Sequence, residues 1–274
     1  MPELPEVETM VRDLRPELVG RSIRRASLSH DDVLRGVSRR TLVSRLAGAM
    51  VHAVERRAKH AVFHVGDRRL VVQPGMTGSL TVQRPPLPEE ERRYAVLQAE
   101  LDSGRVLVYH DVRRLGTLLL LDEKGWKKYD EALGPEPLDP ALTDDGFAAR
   151  LRGSRQAVKK LIMDQKVIVG VGNIYANEAL FASGIDPSRG GNRIAPAEAT
   201  VLLREIRRIL RAAITSRGST IRDYRTGTGD AGGFQLSHLV YGRGGEPCVQ
   251  CGTRLTETHL IDARTTVFCH RCQS

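Results

Sequence analysis

The stretch Gly134-Pro135-Glu136-Pro137-Leu138-Asp139-Pro140 does most to limit what this chain can become. Three prolines in seven residues can continue neither a helix interior nor a central strand, so a boundary belongs here. The patterning differs on its two sides. Before it, from Ser22 to about Leu121, apolar runs at 53–65, 70–73, 80–83, 94–101, 106–109 and 117–121 are separated by turn signals such as Gly66-Asp67 and Asp102-Ser103-Gly104. Short strands at that spacing predict an antiparallel sandwich, with Arg84-Pro85-Pro86-Leu87-Pro88-Glu89 as a loop. Ahead of the strands, Val7, Met10, Val11, Leu14 and Leu18 recur at helical spacing until Gly20. Beyond the prolines the pattern predicts helices at 145–151, 154–164, 173–183 and 196–216, with Leu202, Ile206, Ile209, Leu210 and Ala213 on one face of the last.

The C-terminal end follows a different rule. All four cysteines of the 274 residues fall within the last 27, as Cys248-x2-Cys251-x17-Cys269-x2-Cys272. Each CxxC pair offers two thiolates to one ion, and the stretch between forms a hairpin. Four sulfur ligands leave no open coordination position, so Cys248, Cys251, Cys269 and Cys272 are expected to hold one structural Zn²⁺. His270, inside the second pair, is not an expected ligand. The expected class is therefore α+β. Residues 1–133 form an N-terminal antiparallel β-sandwich with flanking helices, 134–140 a linker, 141–241 a helical domain and 242–274 a zinc-binding hairpin.

A net charge of +9 favours polyanionic partners, nucleic acid first, over a basic surface with no such role. Aromatic residues at 4% argue against an RNA reader built on stacking platforms. No apolar run approaches the roughly 18 residues of a membrane span. Acidic residues and prolines stand where a secretory leader needs basic and then apolar ones, so the cytoplasm is the expected location.

Several stretches could carry chemistry. The chain opens Met1-Pro2-Glu3-Leu4-Pro5-Glu6. If Met1 is removed, Pro2 becomes a secondary amine at the terminus. An α-amino group titrates at roughly 7.7–8.0, against about 10.4 for lysine, so more of it is neutral and nucleophilic near pH 7. Its attack on a sugar carbon gives an iminium ion, and Glu3 and Glu6 are carboxylates available to move protons. The plainer alternative is that Pro5 starts a helix whose dipole the glutamates complement. Arg56-Arg57-Ala58-Lys59-His60 sets a lysine between two strands, and otherwise is a solvated basic turn. Gly75-Met76-Thr77-Gly78 presents a methionine that can act as a wedge where a base leaves the stack, or pack down on the sandwich. His110-Asp111-Val112-Arg113-Arg114-Leu115-Gly116 puts two arginines at a strand end, for a phosphate or an orphaned base, or simply for solvent.

In the helical half, the stretch from Gln165 to Glu178 contains Val169-Gly170-Val171-Gly172-Asn173, with Asn173 as an N-cap and Lys159-Lys160 on the preceding helix. A helix N-terminus of this kind suits a phosphate; the alternative is an ordinary interhelical turn. Four glycines between Gly227 and Gly233 predict a mobile loop, either a connector or a lid spanning about 217–233.

Taken in order, these features resemble the formamidopyrimidine-DNA glycosylase family, whose members begin with the same PELPE signature. The resemblance implies a bifunctional DNA glycosylase and abasic-site lyase of base excision repair, with Pro2 as the Schiff-base nucleophile and Glu3 as the proton relay. It places Lys59 on the family's active-site lysine, Met76 on its intercalating methionine and Arg113 on the arginine facing the base opposite the lesion. Lys159 and Asn173 fall on phosphate-contacting positions of a helix–two-turn–helix element. Arg264, five residues before Cys269, falls on the hairpin arginine that enters the duplex. Leu115 is an aliphatic wedge where the family usually has phenylalanine, and Tyr94 is a further expected DNA contact. Gln73-Pro74 replaces a usual histidine-leucine, and the spacing between the cysteine pairs is one residue longer than usual. The implied substrate is double-stranded DNA bearing 8-oxoguanine, formamidopyrimidines or abasic sites, handled by a monomer that associates with the nucleoid. Two alternatives stand beside it. An endonuclease VIII-like enzyme would prefer oxidised pyrimidines, as Leu115 suggests. A zinc-dependent DNA-binding protein without catalysis would have no use for Pro2 and Glu3 together.

Overall fold

The computed structural model describes residues 2–220 and 226–274. Met1, whose removal the terminal-amine chemistry requires, and residues 221–225 of the expected lid lie outside the described residues. The chain divides into two compact units. One runs up to Glu131 and includes Ser216–Gly233; the other comprises Ala132–Thr215 and Phe234–Ser274. The sequence pattern had grouped 217–233 with the helices.

In the first unit, β1 (Ile23–Leu28), β5 (Gly78–Gln83), β6 (Ala95–Leu101) and β7 (Val106–Asp111) make a four-stranded sheet in the order β1-β6-β7-β5. The second sheet, in the order β2-β3-β4-β8, contains β2 (Val51–Arg57), β3 (His60–Val65), β4 (Arg68–Gln73) and β8 (Thr117–Leu121). All pairings in both are antiparallel. Helix α1 (Leu4–Leu18) joins their core through Val7, Met10, Val11, Leu14 and Leu18, which cluster with Val54, Phe63, Leu80 and Leu118. The expected apolar stripe is therefore what holds the N-terminus rigidly on the sandwich.

Three short helices were not foreseen: α2 (Arg39–Leu46), α3 (Glu89–Tyr94) and α4 (Glu123–Glu131). α2 buries only Leu42 and Leu46, and α3 and α4 bury no residue, so none carries the long buried stripe that makes a helix legible in a sequence. α3 also moves Tyr94 from the start of a strand to the end of a helix. Three consecutive glutamates at its N-terminus and Arg92-Arg93 at its C-terminus suit the helix dipole. The Tyr94 ring meets His110 edge-on at 5.6 Å.

The second unit contains α5 (Asp144–Arg152), α6 (Val158–Met163), α7 (Asn173–Ala182), α8 (Pro196–Thr215) and a hairpin of β9 (Thr256–Thr258) with β10 (Thr266–Phe268). The five predicted apolar residues of α8 are all buried. α6 begins at Val158 rather than Ser154, because the Ser154 hydroxyl accepts the Gln156 N–H and bends the chain into a turn first. In α7 everything from Ile174 to Phe181 is buried, so this helix is central to its unit. No described helix is long and apolar enough to cross a membrane.

Candidate active site

The N-terminus is anchored by a carboxylate. Glu3 caps α1 in a reciprocal capping box, and the Glu6 side chain accepts the Glu3 N–H at 2.9 Å. The other Glu6 oxygen accepts the Ser219 N–H at 2.7 Å. Glu6 is 1% exposed and works as a latch between the chain terminus and the segment at Ser219. Pro5 stands at the second helical position rather than the first. Pro2 and Glu3 are both buried, immediately ahead of this anchored helix. The loop base is held a second time by Arg217 Nη2 on Asp13 Oδ2 at 2.8 Å.

Lys59 lies in the two-residue turn between β2 and β3, where Arg57 pairs with His60. It is 6% exposed, which replaces the solvated-turn alternative with a buried lysine. Ala58 before it adopts φ +55°, a left-handed conformation that costs a non-glycine residue about 1–2 kcal/mol. The surroundings hold that turn. Arg56 donates to the Ala58 carbonyl at 3.0 Å and to Glu8 of α1 at 3.0 Å, and Arg57 donates to Asp130 of α4 at 2.5 Å. Through Arg56 the lysine turn and the helix that follows Pro2 become one fixed piece.

His60, next to Lys59, is buried, and its Nε2 lies 3.2 Å from the Tyr129 hydroxyl. Burial pushes it down to about 4; the Lys59 and Arg57 charges add to the effect, while hydrogen bonds to the Arg57 backbone and Gln73 oppose it. The unfolded chain therefore takes up a proton below about 6.5 that the folded chain refuses until about 4. Stability is complete above that window and should fall by on the order of 3 kcal/mol as pH drops through it. Urea midpoints measured from pH 7 to pH 4 check this. The His60→Gln variant should remove most of the slope; an unchanged slope would assign it to other groups.

Strand register explains the next grouping. Gln73 of β4 pairs with Thr117 of β8, and Gly78 of β5 pairs with Asp111 of β7. Two crossings between the sheets therefore run side by side, Pro74 to Thr77 and Val112 to Gly116. The first carries Met76, and the second carries Arg113 and Leu115. Their backbones touch: a Cβ on Gly75 would lie 2.5 Å from the Gly116 nitrogen, and one on Gly116 would lie 1.9 Å from the Tyr109 hydroxyl. Met76 is 46% and Leu115 51% exposed, so neither packs down on the sandwich. Arg113 Nη1 lies 3.6 Å from the Met76 sulfur.

Beneath these tips sits Asp111, which the sequence did not single out. It is 1% exposed. One oxygen accepts the Thr77 hydroxyl at 2.5 Å; the other accepts the Tyr109 hydroxyl at 3.0 Å and the Gly116 N–H at 2.9 Å. Thr77 Oγ1 in turn accepts the Arg113 N–H at 3.0 Å. Burial, with the neighbouring Asp111 charge, pushes the Tyr109 phenol far above its ordinary value, so it stays a donor.

In the second unit, Lys159 is fully buried. Its ammonium donates to Thr266 Oγ1 at 2.6 Å and to the Thr265 carbonyl at 3.3 Å, and lies 3.5 Å from Asp262. A buried charge must be matched by such partners, and here the hairpin turn provides them. Asn173 is not the N-cap of α7; Gly172 is, and the Asn173 amide instead donates to the same Thr265 carbonyl at 3.0 Å. The two residues thus converge beside Arg264, which is exposed. Asn177 accepts the Val267 N–H at 2.8 Å, and Glu178 accepts the N–H groups of Leu239, Val240 and Tyr241 at 2.8–3.0 Å. Neither was foreseen. The signal available was polar residues in an otherwise apolar helix, with Asn173 and Asn177 one turn apart.

The four cysteine sulfurs lie within 4.8 Å of one another. A tetrahedral ion with metal–sulfur bonds of about 2.3 Å needs sulfurs roughly 3.8 Å apart, and the Cys251–Cys269 and Cys248–Cys272 separations are 3.5 and 4.0 Å. No pair is at the ~2.05 Å of a disulfide, and all four are free. The donor set fits a metal ion.

A two-sheet sandwich led by a capped N-terminal helix, with a helical unit and a four-cysteine hairpin, matches DNA-repair glycosylases segment by segment. Residues 1–118 match the formamidopyrimidine-DNA glycosylase N-terminal domain, 133–225 the H2TH domain of the same enzymes, and 245–274 a zinc finger found in FPG and IleRS. The chain is 45% identical to the formamidopyrimidine-DNA glycosylase of Stutzerimonas stutzeri and 42% identical to that of Pectobacterium atrosepticum, covering all of both chains in each case. A Lactococcus lactis FPG variant in complex with Fapy-dG-containing DNA superposes with a TM-score of 0.92 at 31% identity over the whole of both chains. The Lactococcus lactis enzyme with abasic-site DNA gives 0.91 at 30%, over 99% of each chain. The chain belongs to the formamidopyrimidine-DNA glycosylase family. Membership in a family of glycosylases sets aside the alternative of a binding protein without catalysis.

Proposed function

We propose that this chain excises oxidised purines, 8-oxoguanine and formamidopyrimidines, from double-stranded DNA and then cleaves the strand at the resulting abasic site. The observation that carries the chemistry is the Glu6 latch, which fixes Pro2 and Glu3 at the head of α1 while holding the base of the 216–233 loop. With Met1 removed, the Pro2 nitrogen attacks C1′ of the extruded nucleotide. The bond from C1′ to the base breaks, and Glu3 relays the proton that the leaving base takes up. The sugar ring opens to an iminium ion, which acidifies the C2′ hydrogen. Loss of that proton expels the 3′ phosphate by β-elimination, and the 5′ phosphate follows by δ-elimination. Lys59 donates protons and stabilises charge beside Pro2, and Arg264 neutralises phosphate on the same strand.

Met76, Arg113 and Leu115 form the wedge that enters the duplex, and Tyr94 contacts its flank. Lys159 and Asn173 serve the DNA by fixing Thr265 next to Arg264. Cys248, Cys251, Cys269 and Cys272 hold one structural Zn²⁺, and the enzyme works as a monomer in the cytoplasm, on the nucleoid when bound to DNA. The Lactococcus lactis relatives bound to Fapy-dG and abasic-site DNA support the substrate class.

A second reading has its own support. Leu115 leans toward oxidised pyrimidines, and a Lactococcus lactis relative is known in complex with oxidised-pyrimidine DNA. Parallel single-turnover assays on 8-oxoguanine and thymine glycol duplexes separate the two. We expect 8-oxoguanine to be released faster by about tenfold or more. The reverse order would transfer the pocket to pyrimidines.

A further inference from the structure

The Asp111 carboxylate does more than end a strand. We propose that Asp111 is the positioning residue of the duplex-opening wedge, locking the Met76 loop to the Arg113–Leu115 loop so that the three tips enter a base-paired duplex as one rigid body. This rests on the wedge role given above to those tips. The geometry points to it because Asp111 is bonded to both crossings. Its Oδ1 holds Thr77 of the first, and its Oδ2 holds Gly116 of the second. Thr77 passes the constraint on by accepting the Arg113 N–H. The Tyr109 hydroxyl completes the seat, and Gly116 has no Cβ because that hydroxyl occupies the space.

The exposed tips have little packing to fix them: Met76 and Leu115 are each about half exposed. Their aim must come from the backbone beneath, and a tip displaced by about 1 Å can cost on the order of 10²-fold in a positioned reaction. A purely structural carboxylate would stabilise the sandwich equally for any substrate. A wedge seat matters only when base pairs must be parted, so a single strand makes no demand on it.

Thr77→Val tests this with the least disturbance, since it keeps the side-chain shape and leaves the Tyr109 and Gly116 bonds intact. Wedge insertion is read by stopped-flow fluorescence of 2-aminopurine opposite an unreactive tetrahydrofuran site in duplex DNA, which does not depend on Pro2. We expect insertion to slow by about tenfold or more in Thr77→Val and to return to within about threefold of wild type in Thr77→Ser, which restores the hydroxyl. Borohydride trapping on a single-stranded abasic oligonucleotide should stay within about twofold for both variants. Unchanged insertion in Thr77→Val, equal impairment in Thr77→Ser, or an equal loss on the single strand would each overturn the proposal. Should wild-type protein insert normally but form no adduct, the Pro2 chemistry fails while the Asp111 seat stands.

Discussion

Borohydride added while the enzyme acts on abasic-site DNA will fix a covalent adduct to Pro2, and protein that retains Met1 will form none. The physical reason is the lone pair. A free secondary amine has one to give, whereas an acylated nitrogen has lost it to the peptide bond. Position matters as much as reactivity, because a nucleophile must be held about 3–3.5 Å from its target and aligned with it. Here Pro2 sits one residue from a helix cap whose N–H is bonded to Glu6, and Glu6 is itself tied to Ser219. Acylation of the Pro2 nitrogen by a retained Met1 should lower strand cleavage by on the order of 10³-fold or more. Lesion-DNA affinity should change much less. Intact-mass analysis establishes the state of the terminus, and mass analysis of the trapped peptide locates the bond. Full trapping with Met1 in place would remove Pro2 from the mechanism.

How much of this could be seen in the residues depends on how far apart the partners lie. α1 and α8 were legible because their buried faces repeat at the helical period, and the hairpin because its ligands come in spaced pairs. Met76, Arg113 and Leu115 were visible as candidates, but only the β4/β8 and β5/β7 registers make them neighbours. Glu6 shows the opposite case. Its local pattern suggested a helix-dipole carboxylate, while its second partner, Ser219, is 213 residues away. Asp111 and Glu178 were missed for the same reason, since nothing next to an acidic residue in the chain announces that it will be buried among donors. The burial of Lys159 was not legible either. Lysine usually stays in water, and only the facing hairpin turn, more than 100 residues on, makes its burial tolerable.

Stripping the metal should dismantle the hairpin while leaving the β-sandwich folded. The strands β9 and β10 have three residues each. The small core they share comprises Phe181, Val240, Cys248, Leu255, Val267 and Cys269, so two of its six buried residues are the expected ligands. Binding energy at such sites is folding energy, about 10–16 kcal/mol for isolated zinc-finger peptides, and a core this small cannot replace it. Asn177, Lys159 and Gln273 hold the hairpin in place, but they are hydrogen bonds worth roughly 1–3 kcal/mol each. Chelation, or Cys269→Ala, should therefore release one equivalent of zinc, expose the Val267 amide that Asn177 now protects, and lower duplex affinity by about 10²-fold or more through loss of a fixed Arg264. Colorimetric zinc release, amide exchange at Val267 and fluorescence anisotropy read the three effects. Because the sandwich core contains no residue of this hairpin, its own urea transition should barely move. Metal release with Val267 still protected and DNA affinity intact would mean that packing on α7, rather than the ion, keeps the hairpin folded.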